Sequence, residues 1–224
     1  MRDRYFTILN EERGGEPPDL TETHTLINHI SDKRVWLFSV LSYIFAGRIQ
    51  EIIRFKPPLY KYKKNKKTKK TIKIPNPNLD ILPGLRRKDF HIQEYVNDLG
   101  INHKFLVCTL RNLKNRKVHN KRLFCRIDKE EELIKPFMKH LESLNDEDII
   151  LDWSRSWMSK LFKDYAGETL YHPHFLRGLR LTHLVIYYGF NEQLLVNFAG
   201  WSDGRPAKNY MMFAGKALME QLSR

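Results

Sequence analysis

Residues 171–210, YHPHFLRGLRLTHLVIYYGFNEQLLVNFAGWSDGRPAKNY, hold most of the side chains in this sequence that could carry chemistry. Apolar residues recur at helical spacing over 179–188 and 193–198, and glycines close both segments, which predicts a short pair of helices. Near its start the stretch has two histidines and two arginines, and it ends in a tyrosine; these are His172, His174, Arg177, Arg180 and Tyr210. A helix pair can bring the cations and the tyrosine towards one point. Cations that stabilise a phosphate beside a nucleophile indicate phosphoryl transfer.

The spacing of these residues resembles the catalytic signature of the tyrosine recombinase (phage integrase) family. His174 and Arg177 form its His-x-x-Arg motif, and Gly200-Trp201 stands where the family has a Gly-His or Gly-Trp dipeptide. Tyr210 follows Trp201 after nine positions, the separation that the family uses. The resemblance covers residues from about 20 to the C-terminus.

Two upstream elements extend the resemblance. Arg48 with Glu51 matches the family's first arginine element, and Lys114 matches the lysine of its β-hairpin, with Lys117 as the second candidate. An arginine between apolar helices needs a carboxylate or an anion beside it, so Arg48 is either an ion-pair partner of Glu51 or a phosphate ligand that Glu51 supports. The run at 114–117 and the tetrapeptide at 200–203 are most similar to integrases of archaeal genetic elements.

The family resemblance implies both a fold and a reaction. The expected fold is α+β and mainly helical, the tyrosine recombinase catalytic fold with a small antiparallel sheet. The expected reaction is site-specific DNA recombination or integration through a covalent 3′-phosphotyrosyl intermediate, without metal, ATP or other cofactor. Since the phosphotyrosine conserves the energy of the broken bond, rejoining needs no external energy source.

The same resemblance assigns a role to each residue of the signature. Tyr210 would attack the scissile phosphate, while Arg48 and Arg177 would bind its non-bridging oxygens. Lys114 would protonate the leaving 5′ oxygen, and His174 would accept the tyrosine proton or hold the phosphate.

The sequence departs from the commonest family pattern at Trp201, where many members have histidine. Its indole N–H would support the phosphate through one hydrogen bond. Since an indole does not shuttle protons, an acid–base role at this position is not expected.

Composition independently predicts a polyanionic partner. The 224 residues carry a net charge of +13 with a pI near 9.7, which favours double-stranded DNA, RNA or an anionic membrane surface. Membrane is the weakest of the three, because no apolar run approaches the ~20 residues of a spanning helix. The first residues lack the apolar core of a signal peptide, so we expect a cytoplasmic protein that associates with the nucleoid on binding DNA.

Cysteine and histidine usage argues against disulfides and metal. Cys108 and Cys125 each lie inside a β-type run, which predicts buried free thiols. The histidines at 172, 174 and 183 lack further ligands at a recognisable spacing for zinc, and His183 is interpreted as a packed helical residue.

The chain divides into a short tail and one catalytic domain. Residues 1–19 are polar with paired glycines and prolines and predict a linker or tail, and 20–224 form the catalytic domain. The family usually has a separate N-terminal DNA-clamping domain, and none is expected within these 19 residues. Helices are expected from about residue 21 and over 33–45, and strands over 104–111 and 121–127. A basic insertion spans 57–85, and a helical tail spans 211–224.

Basic residues outside the signature predict the DNA surface. The candidates are Lys63, Lys64, Lys66 and Lys67 in the insertion, Arg116 and Lys117 near the hairpin loop, and Arg180. The C-terminal tail carries apolar residues at helical spacing, and the family exchanges such tails between neighbours, so a homo-oligomer, dimer or tetramer, is expected on DNA.

Three alternatives stay open at this stage. A type IB topoisomerase shares the chemistry but relaxes supercoils alone. A degenerate integrase would keep the basic surface as a DNA-binding module without catalysis. An RNA-binding protein would account for the charge but not for the ordered signature.

Overall fold

The computed structural model describes residues 4–56, 59–64, 71–76, 81–112 and 119–222. Helices occupy α1 (Arg4–Arg13), α2 (Leu20–Asn28), α3 (Lys33–Ile44), α4 (Ile49–Ile52), α5 (Glu131–Glu142), α6 (Arg155–Leu170), α7 (Pro173–Ile186), α8 (Glu192–Ala199), α9 (Arg205–Tyr210) and α10 (Ala214–Leu222). Strands occupy β1 (Tyr60–Lys64), β2 (Thr71–Pro75), β3 (Phe90–Val96), β4 (Asn102–Asn112) and β5 (His119–Arg126). None of these helices is both long and apolar enough to cross a membrane.

Helices α3 and α7 pack against each other and form the centre of the helical core. The Asp32 carboxylate caps α3 by accepting from the backbone N–H groups of Arg34 and Val35 at 2.9 and 3.1 Å. His172 caps α7 and Pro173 occupies its first turn, a position that tolerates the missing N–H. Every residue of α7 from 175 to 186 is buried. A charged side chain on this helix therefore lies inside the protein and needs a partner there.

Strands β3, β4 and β5 form an antiparallel sheet in that order. Successive side chains of a strand point to opposite faces, so Leu123 and Cys125 of β5 share one face, which is buried against the helices. Lys121 lies on the same face two residues earlier, opposite Leu110 of β4. Cys108 and Cys125 are buried free thiols, as predicted, and burial raises the pKa of both.

Within the N-terminal segment, Arg4–Arg13 form a helix that docks on the core, which corrects the expectation of a linker or tail there. Tyr5 and Leu9 lie one helical turn apart on α1 and are fully buried against the rest of the core. The Tyr5 ring packs directly on α7, where Gly178 leaves room because a Cβ there would lie 2.4 Å from the ring. The Tyr5 hydroxyl lies 2.8 Å from that of Thr182. The apolar residues of α1 therefore dock this helix on the core.

The predicted basic insertion contains a β-hairpin in the residues that are described. Strand β1 pairs antiparallel with β2, with Tyr60 opposite Pro75. The predicted C-terminal helical tail is present as a 3₁₀ turn over Met211–Phe213 followed by α10. The limits of the catalytic domain at 20–224 stay a prediction.

Candidate active site

Arg177 is a buried cation at the centre of the candidate site. Its guanidinium donates to the carbonyl of Ala46, and a second nitrogen donates to the carbonyl of Ala199 at 2.9 Å. Ala46 adopts a positive φ of 44°, a conformation that is costly for a residue with a Cβ. Arg177 therefore links the turn after α3 to the end of α8, and its charge stays inside the protein.

Arg48 lies in the turn between α3 and α4, as the sequence predicted, with Glu51 beside it. The buried Glu51 carboxylate accepts from the Arg48 backbone N–H at 2.9 Å and from its guanidinium at 2.8 Å. The Ser42 hydroxyl hydrogen bonds to the carbonyls of Gly47 and Pro173 at 3.3 and 3.4 Å. This contact holds the turn carrying Arg48 against the start of α7.

Lys121 is the residue of this site that the sequence interpretation missed. It projects from β5 towards the end of α8, where its amine donates to the carbonyls of Phe198 at 3.3 Å and Ala199 at 3.5 Å. Arg177 and Lys121 thus share the Ala199 carbonyl. Burial, followed by the charge of Arg177, lowers the pKa of Lys121 from 10.5 to about 7, with Arg48 acting in the same direction and Glu51 against it.

Tyr210 ends α9 in an aromatic environment. Its side chain is 2% exposed, and its ring stacks on Trp201 with centroids 5.9 Å apart. The Arg177 guanidinium lies 6.0 Å from the centre of the Trp201 ring. Trp201 therefore lies next to both the predicted nucleophile and Arg177.

His174 and Arg48 line one cavity of about 430 Å³. His174 is exposed in the first turn of α7, and its ring stacks at 6.5 Å on His172. Arg155 and Ser159 of α6 also line this cavity. Within the described residues, Tyr210 does not belong to this lining. The structure thus brings Arg48 and His174 to one cavity, and places Tyr210 against Trp201.

Several predicted residues lie outside what the structure describes. These are Lys66 and Lys67 of the insertion and Lys114, Arg116 and Lys117 of the hairpin loop. Lys63 and Lys64 lie on β1. Among the described residues, no three His, Cys, Asp or Glu side chains are grouped as a metal ligand set.

The prediction that Arg180 binds DNA is wrong. Arg180 lies on the buried part of α7, 1% exposed, and forms an ion pair with the buried carboxylate of Glu130. Glu130 also accepts from Tyr188 at 2.5 Å and pairs with His24 at 2.7 Å. Burial acts to raise the pKa of Glu130, but the charge of Arg180 and these hydrogen bonds outweigh it and lower the pKa to about 2. Arg180 stabilises the core.

Removing Arg180 should therefore affect stability and leave the salt dependence of DNA binding unchanged. We expect Arg180→Ala to lower the free energy of unfolding by about 3–5 kcal/mol, because it leaves the buried Glu130 charge without its arginine partner. Denaturant unfolding measures this loss. The double variant Arg180→Met, Glu130→Leu removes both charges and should regain most of it. A reduced salt slope with unchanged stability would restore the DNA-binding assignment.

Comparison with known proteins shows the fold. No family model and no curated protein matches the chain. It is similar to the XerH site-specific recombinase in a post-cleavage complex with palindromic difH substrate, with a TM-score of 0.50 and 16% identity over 96% of this chain and 55% of that one. The pre-cleavage complex of XerH with difH gives a TM-score of 0.49 and 14% identity over 90% and 51%. This chain thus spans about half the length of the XerH chains.

The likeness confirms the predicted fold. It is α+β and mainly helical, with a small three-stranded antiparallel sheet, and is that of a tyrosine recombinase catalytic domain.

Proposed function

We propose that this protein is a site-specific DNA recombinase or integrase that breaks and rejoins duplex DNA through a 3′-phosphotyrosyl intermediate on Tyr210. The observation that carries the proposal is the cluster of Arg48, Lys121 and Arg177, with Glu51 as its carboxylate. Burial lowers the pKa of Lys121 most, and repulsion by the charges of Arg177 and Arg48 lowers it further. A phosphate bound among these cations would relieve the repulsion.

In the proposed cleavage step, one P–O bond forms as another breaks, and side chains of the protein accept and donate the protons. The Tyr210 oxygen attacks the scissile phosphorus, the bond from phosphorus to the 5′ oxygen breaks, and a phosphotyrosine ester forms. His174 takes the tyrosine proton, and Lys121 gives a proton to the leaving 5′ oxygen. Arg48 and Arg177 stabilise the charge on the non-bridging oxygens. Attack by the released 5′ hydroxyl of a second strand reverses these transfers and rejoins the DNA.

Lys121 suits the role of proton donor. A pKa of about 7 makes it a better acid than an ordinary lysine, and a general acid works best when its pKa lies near the working pH. Lys114 remains the alternative that the family resemblance implies.

A basic groove leads away from the cluster and supports a duplex DNA partner. The cavity beside Arg48 shares Gln50, Arg155 and Ser159 with a second cavity of about 500 Å³. Arg54 and Lys56 line this second cavity. We propose that the groove follows the sugar–phosphate backbone next to the scissile phosphate.

Replacing Arg155 tests whether the groove binds DNA phosphates. If it neutralises one phosphate, Arg155→Ala should lower the slope of log affinity against log salt by about 0.9. Filter binding of a duplex across a salt series measures the slope. Lys163→Ala is the control, because Lys163 is an exposed cation on the same helix but does not line the groove. Equal effects of the two variants would mean that the groove has no special contact with DNA.

We further propose that the protein acts on DNA as a homo-oligomer, a dimer or tetramer. Helix α10 exposes Leu218, Met219 and Leu222 at 58–79%, which is unusual for large apolar side chains close together. A complex with DNA that sediments with the mass of one protein chain would refute this. We also propose an origin among the integrases of archaeal genetic elements, because the sequence at 114–117 and 200–203 resembles theirs.

The function is tested with nicked suicide substrates. A library of nicked duplexes of random sequence is incubated with the protein, and adducts that survive denaturation are isolated and sequenced. We expect adducts enriched in one sequence, and strand exchange between two copies of it. Relaxation of a supercoiled plasmid without strand exchange would favour the type IB topoisomerase, and binding without adducts would favour a non-catalytic module.

A further inference from the structure

Tyr210 is closed off from DNA in this structure. Its ring lies between Trp201 on one side and helix α1 on the other, with the Phe6 centroid at 5.0 Å and the Tyr5 centroid at 6.1 Å. In-line attack requires the tyrosine oxygen to come within about 3–3.5 Å of phosphorus. A side chain that is 2% exposed is out of reach of a duplex at this distance. Tyr210 must leave this position before it can react.

The packing on the two sides of α1 indicates which element moves. Towards α7 the helix is firmly docked, through the buried Tyr5 against Gly178 and the buried Leu9. Towards α9 it is loosely packed, because a cavity of about 740 Å³ lies between α1 and the segment around Lys208 and Met212. Helix α1 therefore packs less closely on α9 than on α7.

The chain ahead of α9 can absorb such a movement. Gly200 ends α8 with a positive φ of 67°, a conformation that glycine adopts without strain. Residues 201–204 then connect α8 to α9 outside regular secondary structure.

We propose that helix α1 is an inhibitory contact for the nucleophile. Phe6 and Tyr5 hold Tyr210 in a closed position, and release of α9 from these two rings exposes the hydroxyl to the scissile phosphate. The proposal rests on the proposed function, since it concerns the same tyrosine. Helix α1 would then limit the rate of cleavage without contacting DNA.

Weakening the contact should speed cleavage. We expect Phe6→Ala to raise the single-turnover rate of adduct formation about two- to ten-fold, the range that follows from the loss of an aromatic pair. Affinity for the duplex should stay unchanged. Ile8→Ala is the matched control, because Ile8 is an aliphatic, partly buried residue of the same helix. An unchanged rate in Phe6→Ala, or an equal rise in Ile8→Ala, would overturn the proposal.

A second measurement tests the closed position without relying on the reaction. Tetranitromethane should nitrate the Tyr210 ring slowly, and Phe6→Ala should accelerate this nitration by the same two- to ten-fold. Peptide mass spectrometry distinguishes Tyr210 from the other tyrosines. Tyr95 gives the rate at an exposed reference position, because it is 54% exposed.

The outcomes separate this inference from the proposed function. Nitration of Tyr210 as fast as that of Tyr95 would overturn the closed position. Slow nitration that Phe6→Ala accelerates, with no adduct from the wild-type protein on any duplex, would refute the proposed function and leave the contact established.

Discussion

The Lys121→Ala variant is expected to cleave an ordinary duplex about 10²- to 10⁴-fold more slowly than the wild-type protein, the usual contribution of a general acid. The leaving 5′ oxygen would otherwise depart as an alkoxide of very high pKa. A 5′-bridging phosphorothiolate replaces that oxygen with sulfur, whose thiol has a pKa of about 8.5 and departs without a proton. Single-turnover cleavage of this substrate should therefore restore most of the lost rate.

Two further variants show whether Lys121 acts by donating a proton or only through its positive charge. Lys121→Arg keeps a positive charge but holds its proton too tightly to act as an acid, so it should be slow on the oxygen substrate and recover on sulfur. Arg177→Ala should not recover on sulfur, since its proposed partners are the non-bridging oxygens. If Lys114→Ala shows the rescue and Lys121→Ala does not, the acid is the hairpin lysine and the assignment of Lys121 is wrong.

The same assignment predicts a pH dependence. Lys121 is a proton donor in its protonated form, and its pKa in the unbound protein is about 7. The value of kcat/KM reports groups of the unbound enzyme, so for an oxygen substrate it should fall as the pH rises through about 7. With the sulfur substrate this decline should disappear. A decline that persists on sulfur would belong to another group.

Tyr210→Phe should abolish adduct formation and leave DNA binding unchanged. The substitution removes the proposed nucleophilic oxygen but keeps the ring that packs against Trp201 and Phe6. Adduct yield on a suicide substrate and affinity for the same duplex are measured side by side. An adduct formed by Tyr210→Phe would move the nucleophile to another residue, and lost affinity would mean that the hydroxyl supports DNA binding.

The fold was predictable because its main elements carry clear local patterns. The nearly continuous apolar segment 33–45 forms the buried helix α3, and 179–188 contributes to the buried helix α7. The segments 104–111 and 121–127, in which apolar and polar residues alternate, form two strands of the sheet. Arg48 and Glu51 were also recognisable, because their separation of three residues allows the ion pair that is present.

The remaining features depend on contacts between distant parts of the chain. Arg180 lies one helical turn after Arg177, and its partner Glu130 is 50 residues away, so neither its burial nor its ion pair is visible in the local sequence. The docking of α1 depends on Tyr5 and on the space beside Gly178.

Lys121 did leave a signal in the sequence. It alternates with Leu123 and Cys125, which places it on the inward face of β5. A lysine on the apolar face of a strand is costly unless it has a function or a partner, and this would have marked it as a candidate.

The most direct test of the central claim is the identity of the residue joined to DNA. After reaction with a suicide substrate, the adduct is digested with protease and nuclease and the nucleotide-bearing peptide is sequenced by mass spectrometry. We predict a 3′-phosphate ester on Tyr210. Attachment to any other residue, or to a 5′-phosphate, would contradict the proposed mechanism.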